Sequence, residues 1–479
     1  LIVISPTPFE NAANDLLPDL RNHNDDLAQY VNALSSQAKK HKAHFVDLFT
    51  GAEATFTGNG QHVTAGNQAR FALHLAAALG VERSNGFAGL EDLRAAVREK
   101  HRLWFDYWRP ANWKCLFGDD NRRVFSIGSR KNIPSIRDER DKLPVLIAAA
   151  EENVAAVAKG LAKPKVAAQP ELPPPTPASS PGDELKAFKP AEGFAVNLFA
   201  SEKLGVANPL TIRWDAKGRM YVACTWSYPH LKPGEIPNDK IIQLTDTDGD
   251  GQADRSTVFA DGLNIPTGLE TADGGVYVGQ GTDLLFLRDL DDDGHADERQ
   301  VLLSGFGTGD THQAINSFTW SPDGELFFCQ GDGIESRVET PWGVSSLYQA
   351  GVYRLRPGRL QLHGLLDDFM GPGNPWGIVF DDWGQSLVVD GAGGISYLTP
   401  ASIPAKHRLR LDRIGNPGGY CGVEMINGRH MPESMRGQFV LNDYKSNTVR
   451  RFALTPAGSG FKLDWKESVL KSSHRNFRP

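Results

Sequence analysis

The sequence predicts a multidomain protein in which a truncated α/β module precedes an all-β propeller. Two observations carry the propeller. One hairpin spelling recurs from residue 187 onward, and its turn glycines fall at 218, 275, 324, 384 and 437, at intervals of 49 to 60 residues. Such an interval accommodates one four-stranded antiparallel blade per repeat. A third observation concerns the other end. Residues 1–83 alternate strand-like and helix-like stretches, the pattern of an α/β sheet.

Taken in order, LIVIS at residues 1–5 reads as a strand, and Asp25 to Lys40 as a helix with Leu27, Tyr30, Val31 and Leu34 on one face. His44 to Phe49 reads as a second strand, and Ala65 to Leu79 as a second helix. A further helix is expected from Gly89 to about Pro110, with Leu93, Val97, Leu103 and Phe105 apolar. It leads into the aromatic-rich stretch Trp108 to Gly118, expected to pack on the α/β module. The next helix, Pro144 to Leu161, precedes PELPPPTPASSPGD, whose proline and serine content predicts an extended spacer. The predicted units are therefore 1–83 (α/β), 84–162 (helical extension), 163–186 (linker) and 187–479 (propeller).

The clearest hairpin lies in DTHQAINSFTWSPDGELFFCQGD, residues 310–332: Phe318 and Trp320 on one arm, Leu326 to Phe328 on the other, Pro322-Asp323-Gly324 at the turn. Leu210 to Ala223, Pro266 to Val278 and Pro375 to Val389 are further copies, and Pro432 to Leu441 is a weaker fifth. A β-sandwich would show short strands without a unit-length period.

Composition excludes some functions. The net charge of −7 leaves no basic footprint for nucleic acid. No apolar run approaches the roughly 20 residues that cross a bilayer. Cys115, Cys224, Cys329 and Cys421 form no CxxC or CxxCH pair, which rules out a c-type haem or a zinc ribbon within these residues. Cys224 and Cys329 take matching hairpin positions, where a small buried side chain is expected. The chain reads as a fragment: it opens on Leu1 within a strand, so a signal peptide cannot be judged. It stops where a sixth hairpin is expected.

Two stretches share the pattern DxDxDGxxD: Asp246, Asp248, Asp250 and Asp254, then Asp289, Asp291, Asp293 and Asp297. Alternate carboxylates around a turn glycine suit a hard cation with six or more oxygen ligands, and calcium fits better than magnesium. Neither loop has the Glu at position twelve that marks an EF-hand. The expected role is structural.

Ser5 to Asn11, Val46-Asp-Leu-Phe49 and Asn59-Gly-Gln-His62 resemble the C-terminal half of an SGNH (GDSL-type) hydrolase. The resemblance makes His62 a catalytic base, with Asn59 standing where the family has the orienting Asp. The family's nucleophilic Ser would lie upstream of Leu1, so esterase activity is implied only if that block exists. Ala191 to Pro479 resembles the membrane-bound dehydrogenase domain family of planctomycetes and verrucomicrobia, similar in turn to six-bladed PQQ-dependent soluble sugar dehydrogenases. About five of six blades would be present.

That resemblance implies a quinone (PQQ)-dependent sugar or polyol dehydrogenase, with His312 as general base ahead of Ser321-Pro-Asp-Gly324. It also implies an extracytoplasmic location, periplasmic or at the cell surface, and an electron acceptor such as a c-type cytochrome domain outside this chain. The sugar dehydrogenases carry Gly-His-Arg-Asn-Pro where this chain has Gly371-Pro372-Gly373-Asn374-Pro375, so Asn is kept and the Arg partner of the quinone is absent. Asn374, Trp376, Asp390 and Lys445 are the expected cofactor contacts, with Trp226 and Asn442 as further pocket residues. The alternative is a non-catalytic propeller that binds glycans or proteins as a scaffold.

Overall fold

The computed structural model describes the chain except residues 52–54, 82–86, 118–135, 178, 367–372, 392–393, 398–413, 415–417, 459, 475–476 and 478–479. At the N-terminal end, β1 (Ile2–Ile4) pairs in parallel with β2 (His44–Val46). The connection between them is α1 (Asn24–Lys40), a strand–helix–strand unit of the kind a parallel pair requires. Only part of the predicted face of α1 is inward. Val31 is 5 % exposed, whereas Tyr30 at 69 % and Leu34 at 37 % face solvent. The second helix, α2 (Gln68–Ala78), follows a short 3-10 turn at Ala65–Asn67.

The helical extension comprises α3 (Glu91–Trp108) and the helix Leu143–Ala158, which pack through Leu103, Leu143 and Ile147. Phe105, expected inside, is 52 % exposed. The proline-rich linker does not hang free. The Asn238 amide donates to the Pro170 carbonyl at 2.8 Å, which lays the spacer along the first propeller sheet.

Among the described residues, five antiparallel sheets of three or more strands follow, successive in sequence. Sheet 1 holds β4 (Pro209–Trp214), β5 (Met220–Cys224), β6 (Asp239–Thr245) and β7 (Arg255–Leu263). Sheet 2 holds β8 (Pro266–Ala272), β9 (Gly275–Gln280), β10 (Asp283–Arg288) and β11 (Glu298–Ser304). Sheet 3 orders β12 (Asn316–Trp320), β13 (Leu326–Gln330), β16 (Gly351–Arg356) and β17 (Gln361–Leu366), with the hairpin β14 (Ser336–Thr340) and β15 (Gly343–Leu347) inserted. Sheet 4 holds β18 (Pro375–Phe380), β19 (Ser386–Asp390) and β20 (Ile395–Tyr397). Sheet 5 holds β21 (Tyr420–Met425), β22 (Phe439–Asp443), β23 (Thr448–Ala457) and β24 (Gly460–Ser472).

The first strand of each sheet touches the first strand of the next: β4 with β8, β8 with β12, β12 with β18, and β18 with β21. That radial order of antiparallel sheets, each of three or more strands among the described residues, is that of a β-propeller. The chain also ties its two propeller ends together, since β3 (Phe188–Pro190) pairs antiparallel with β24 as a fifth strand of sheet 5.

The predicted turns hold at Gly218, Gly324 and Gly384, whose φ values of 80°, 81° and 81° lie in the left-handed region glycine favours. In sheet 2 the turn sits one residue early. Asp273 and Gly274 take positive φ, while Gly275 opens β9. The weak fifth copy is a long connection rather than a tight hairpin, with β21 ending at Met425 and β22 beginning at Phe439.

Cores form between sheets. Tyr221, Ile241, Leu269 and Val278 join sheets 1 and 2; Tyr277, Leu284, Phe318 and Phe328 join sheets 2 and 3. Phe327, Cys329, Ile378 and Val388 join sheets 3 and 4, and Val389, Ile395, Val423 and Phe439 join sheets 4 and 5. Cys224 and Cys329 are fully buried free thiols, as expected from their matching positions. Burial pushes the Cys224 thiol up to about 11 and raises that of Cys329 as well, which keeps both protonated and inert. The side chain of Cys115 lies outside the described residues.

Candidate functional site

Connections in an antiparallel meander alternate between the two ends of the strands. The loop carrying His312 (β11 to β12) and the loops after β5, β13 and β19 therefore share one face, and both aspartate loops lie on the other.

On the first face, Asp310 caps the short 3-10 turn Thr311–Gln313 by accepting from the His312 backbone N–H at 2.9 Å. The same carboxylate oxygen lies 3.0 Å from Nδ1 of His312. Burial would raise the Asp310 carboxyl, but the hydrogen bond and charge of His312 outweigh it and hold the carboxyl below its ordinary value. An ionised Asp310 accepts a hydrogen bond from Nδ1–H, which leaves the lone pair on Nε2, on a side chain 53 % exposed. The Tyr228 ring meets the imidazole edge-on at 5.0 Å. Burial, with Asp310 adding to it, pushes the Tyr228 phenol up to about 12, so it remains a proton donor.

Sequence reasoning missed the residues that set this geometry. Buried Asp239 accepts from the Thr225 hydroxyl at 2.8 Å and from the Trp226 and Ser227 amides at 2.6 and 3.0 Å, which fixes the loop leading to Tyr228. Asn112, 4 % exposed and in the left-handed region at φ 57°, accepts from the Thr311 amide at 2.8 Å and donates to the Pro229 carbonyl at 3.2 Å. Lys114 donates its amide to Gly309 at 3.0 Å, and the Trp113 indole lies over Gly309. The aromatic-rich stretch expected on the α/β module thus docks on the His312 loop instead. Its only sequence signal was a run of large side chains beside a polar pair, which does not say what it covers.

The expected cofactor contacts gather around sheets 4 and 5. Trp376 packs against Gly391, whose amide donates to the Asn374 carbonyl at 2.9 Å. Oδ1 of Asn374 is buried with no hydrogen-bond partner among the described residues. Asp390 is 1 % exposed at the end of β19, and the Tyr444 hydroxyl donates to the Gly391 carbonyl at 2.8 Å. Lys445 donates to the Gly418 carbonyl at 3.3 Å. Pro372 lies outside the described residues. Trp226 packs against the buried cluster of β5 and β6 on the flank of sheet 1, and Asn442 sits over Gly422.

On the opposite face, each aspartate loop gathers three of its four acids. Carboxylate oxygens of Asp246, Asp248 and Asp254 lie within 4.8 Å of one another, as do those of Asp289, Asp291 and Asp297. Asp250 and Asp293 turn away from these groups. Each accepts a backbone N–H two residues on, from Gln252 at 2.7 Å and from His295 at 2.8 Å. The loops are otherwise superposable in their bonding: the first acid accepts from the turn glycine, Gly251 to Asp246 at 2.9 Å and Gly294 to Asp289 at 2.8 Å. The Gly251 hydrogen bond holds the Asp246 carboxyl below its ordinary value.

His62 stands apart on the α/β module. Its Nδ1 lies 3.0 Å from the Asn59 amide nitrogen, and its Nε2 lies 3.4 Å from Glu339 of the β14–β15 hairpin. The nitrogen that a serine nucleophile would use thus faces a propeller carboxylate.

A family model described as "Domain of unknown function (DUF7133)" matches residues 180–402. No curated protein matches the chain. Among solved structures, the holo form of the pyranose dehydrogenase PQQ domain from Coprinopsis cinerea is 10% identical over 60% of this chain and 87% of that one, with a TM-score of 0.37. A glucose dehydrogenase is 13% identical over 55% of this chain and 87% of its own, with a TM-score of 0.36. A nidogen/laminin complex is 14% identical over 56% and 82%, with a TM-score of 0.37. Likenesses this distant, to dehydrogenases and to a laminin complex alike, do not choose an activity.

Proposed function

We propose that the His312 face acts on a hydroxyl of a sugar or polyol in a quinone-dependent dehydrogenation. The observation that carries the reading is the Asp310–His312 pair: a carboxylate on Nδ1, a free Nε2, and an exposed imidazole. In this reading Nε2 takes the hydroxyl proton, and Asp310 offsets the positive charge that develops on the ring. Tyr228 supplies a hydroxyl donor beside it.

The residues around Gly391 fit a planar, hydrogen-bonding cofactor. Trp376 would offer a ring face, Asn374 Oδ1 an unsatisfied acceptor, and Lys445 a cation for a carboxylate; Asp390 would fix the floor. PQQ bound there would supply the two-electron acceptor for the hydride. With no guanidinium at position 373, Lys445 would carry more of the anionic charge than an Arg-containing site demands. Calcium in the two aspartate loops would pin the opposite face. The reading further places the protein outside the cytoplasm and passes electrons to an acceptor such as a c-type cytochrome domain.

The test is reconstitution with calcium and PQQ followed by dye reduction against a panel of sugars and polyols. Activity lost at least 100-fold in His312→Ala is expected; activity that survives the substitution removes His312 from the chemistry. A second reading, a non-catalytic glycan- or protein-binding scaffold, draws on the Pro110–Lys114 stretch lying over the His312 loop. Calorimetric titration with PQQ separates the two, because stoichiometric binding is incompatible with the scaffold. An esterase acting through His62 would require both an upstream serine and release of Glu339.

A further inference from the structure

The hairpin inserted after β13 lies along the outer edge of sheet 3, and a slot of about 480 Å³ opens between its strand β15 and β17. The two strands touch where the Ser346 carbonyl approaches Gly364. At the hairpin tip the Trp342 indole N–H donates to the Arg359 carbonyl at 2.8 Å, which closes the other end. The volume falls within the range of ligand cavities, about 300–1,000 Å³. Neither His312 nor any residue of its loop lines the slot.

One wall carries a cation whose donors are unused. Arg354 of β16 lines the slot with its side chain 21 % exposed. Its guanidinium donates no hydrogen bond to any described residue: Nε stands 3.3 Å from Glu325 without hydrogen-bonding it, and is itself sealed from solvent. Nη1 and Nη2 are not sealed in this way, so they remain open to a ligand. Glu325, 7 % exposed at its side chain, already accepts from Nε of Arg356. Two guanidinium groups therefore share one carboxylate, which leaves the wall positive. A guanidinium presents five N–H donors, and holding them half-buried and unpaired is unfavourable.

Further donors converge on the same space. His363 of β17 stands directly opposite Arg354 in the strand register, is exposed, and makes no hydrogen bond among the described residues. Partial burial and the charges of Arg354 and Arg356 hold its imidazole below the ordinary value, against the pull of Glu325. From across the slot β15 brings the Ser345 and Ser346 hydroxyls, also without partners among the described residues. These groups select the ligand class. A cation is repelled by the arginines, and a neutral ligand leaves their charge uncompensated. A planar carboxylate has two oxygens, enough for the guanidinium fork alone, whereas a tetrahedral oxyanion turns further oxygens toward the imidazole and the hydroxyls.

We propose that the slot between β15 and β17 binds a tetrahedral oxyanion, a phosphate or sulfate group held by the Arg354 guanidinium together with His363 and the Ser345 and Ser346 hydroxyls. The site shares no residue with the His312 loop and stands independently of any reaction there.

The test titrates the full chain, labelled at histidine, with inorganic phosphate, inorganic sulfate, methyl phosphate and acetate at constant ionic strength, and follows the His363 imidazole by NMR. That resonance reports on this slot, so a ligand at His312 does not register. Phosphate and sulfate should give a saturable shift and raise the His363 pKa, because a bound anion favours the charged ring. Affinity should fall about tenfold or more in Arg354→Met, where Glu325 keeps Arg356 and the melting temperature should hold. His363→Gln, an exposed substitution read by calorimetry, should weaken binding with Arg354 in place. Tighter binding of methyl phosphate than of inorganic phosphate would assign the slot to an esterified group, and equal or weaker binding to the free ion. No saturable shift, affinity undiminished in either variant, or acetate bound as tightly as sulfate overturns the assignment.

Discussion

Ile212 in sheet 1 and Phe318 in sheet 3 take the same place in their hairpins, six residues ahead of the turn glycine, yet Phe318 is fully buried and Ile212 is 41 % exposed. Trp214 and Trp320 repeat the contrast two residues on. Trp320 packs edge-on against Tyr277 of sheet 2 at 5.7 Å, and its counterpart Phe380 meets Phe327 of sheet 3 at 4.9 Å, while Trp214 is 52 % exposed. The first strands of sheets 3 and 4 therefore offer these side chains to the preceding sheet. Sheet 1 has no preceding sheet among the described residues, so the same spelling leaves Ile212 and Trp214 of β4 uncovered. The segment Phe199 to Val206 covers β5 and β6 of that flank, through Met220, Val222, Ile242 and Leu244. Burial here is decided by the neighbour, not by the residue.

The largest test of this comparison is a pair of truncations. Phe318→Ala should cost about 3–5 kcal/mol, from the apolar area and the cavity it leaves. Ile212→Ala should cost less than about 1 kcal/mol. Denaturant midpoints measure both, and equal losses would mean that the sheet 1 flank is covered in solution.

Next come the aspartate loops. The first docks on the entry segment, through Ala253 N–H to Phe199 and Asn197 to Gly251, and the second docks on β7 through Ala296 N–H to Phe259. The second is also clamped by Lys217 and Arg219 on Asp292, at 2.6 and 2.8 Å. If calcium binds, a site at a hundredfold excess over its Kd adds about 2.7 kcal/mol. Chelation should then lower the melting temperature, and hydrogen exchange should accelerate first around Asp246 to Asp254, the loop without the Lys217 and Arg219 clamp. An unchanged melting curve would argue against both loops as calcium sites.

A smaller effect is expected at the axis. Arg213 of β4 donates to Glu270 at 2.8 Å and to the Phe318 carbonyl at 2.7 Å, and approaches Glu424 of β21 at 3.8 Å, tying sheet 1 to sheets 2, 3 and 5. Arg213→Met leaves Glu270 unpaired and should cost about 2 kcal/mol, below the 3–5 of a wholly buried pair. Burial already raises the Glu270 carboxyl despite Arg213. A raised carboxyl favours the folded state at low pH and loses that contribution as pH rises, so the penalty should grow between pH 5 and pH 8.

The smallest effect belongs to Asp106, whose carboxyl sits at about 6 in the folded chain against 3.8 unfolded. The folded state holds the proton more tightly, so this group's contribution is complete below pH 3.8 and disappears as pH rises through about 6. Asp106→Asn should therefore raise the melting temperature slightly at pH 8 relative to pH 5. The Asp106 side chain is 43 % exposed, which keeps the effect small, and no pH-dependent difference would mean that its carboxyl is not desolvated in solution.

Much of the fold was legible because it is periodic. Turn glycines, alternating apolar arms and matching cysteines marked the sheets, and strand–helix alternation marked β1, α1 and β2. Local hydrogen bonding wrote the aspartate loops into the sequence too, although Asp250 and Asp293 turned out to cap the loops rather than join the acid groups. The misses share one cause. Tyr30, Phe105 and the Trp108–Gly118 stretch are apolar by composition, but which element covers each depends on contacts far away in sequence. Asn112 and Thr311 are 199 residues apart.

By itself the sequence determined the sheets, their turns and the acidic loops, since each follows from the conformational preferences of a few neighbouring residues. It also singled out His312. Only the tertiary structure decided that Asp310 fixes the histidine tautomer, that Asn112 from the helical extension braces the same loop, and that Arg354 lines a slot beside the inserted hairpin. Those arrangements depend on side chains brought together by packing between sheets and helices, and no local preference encodes the distance between them.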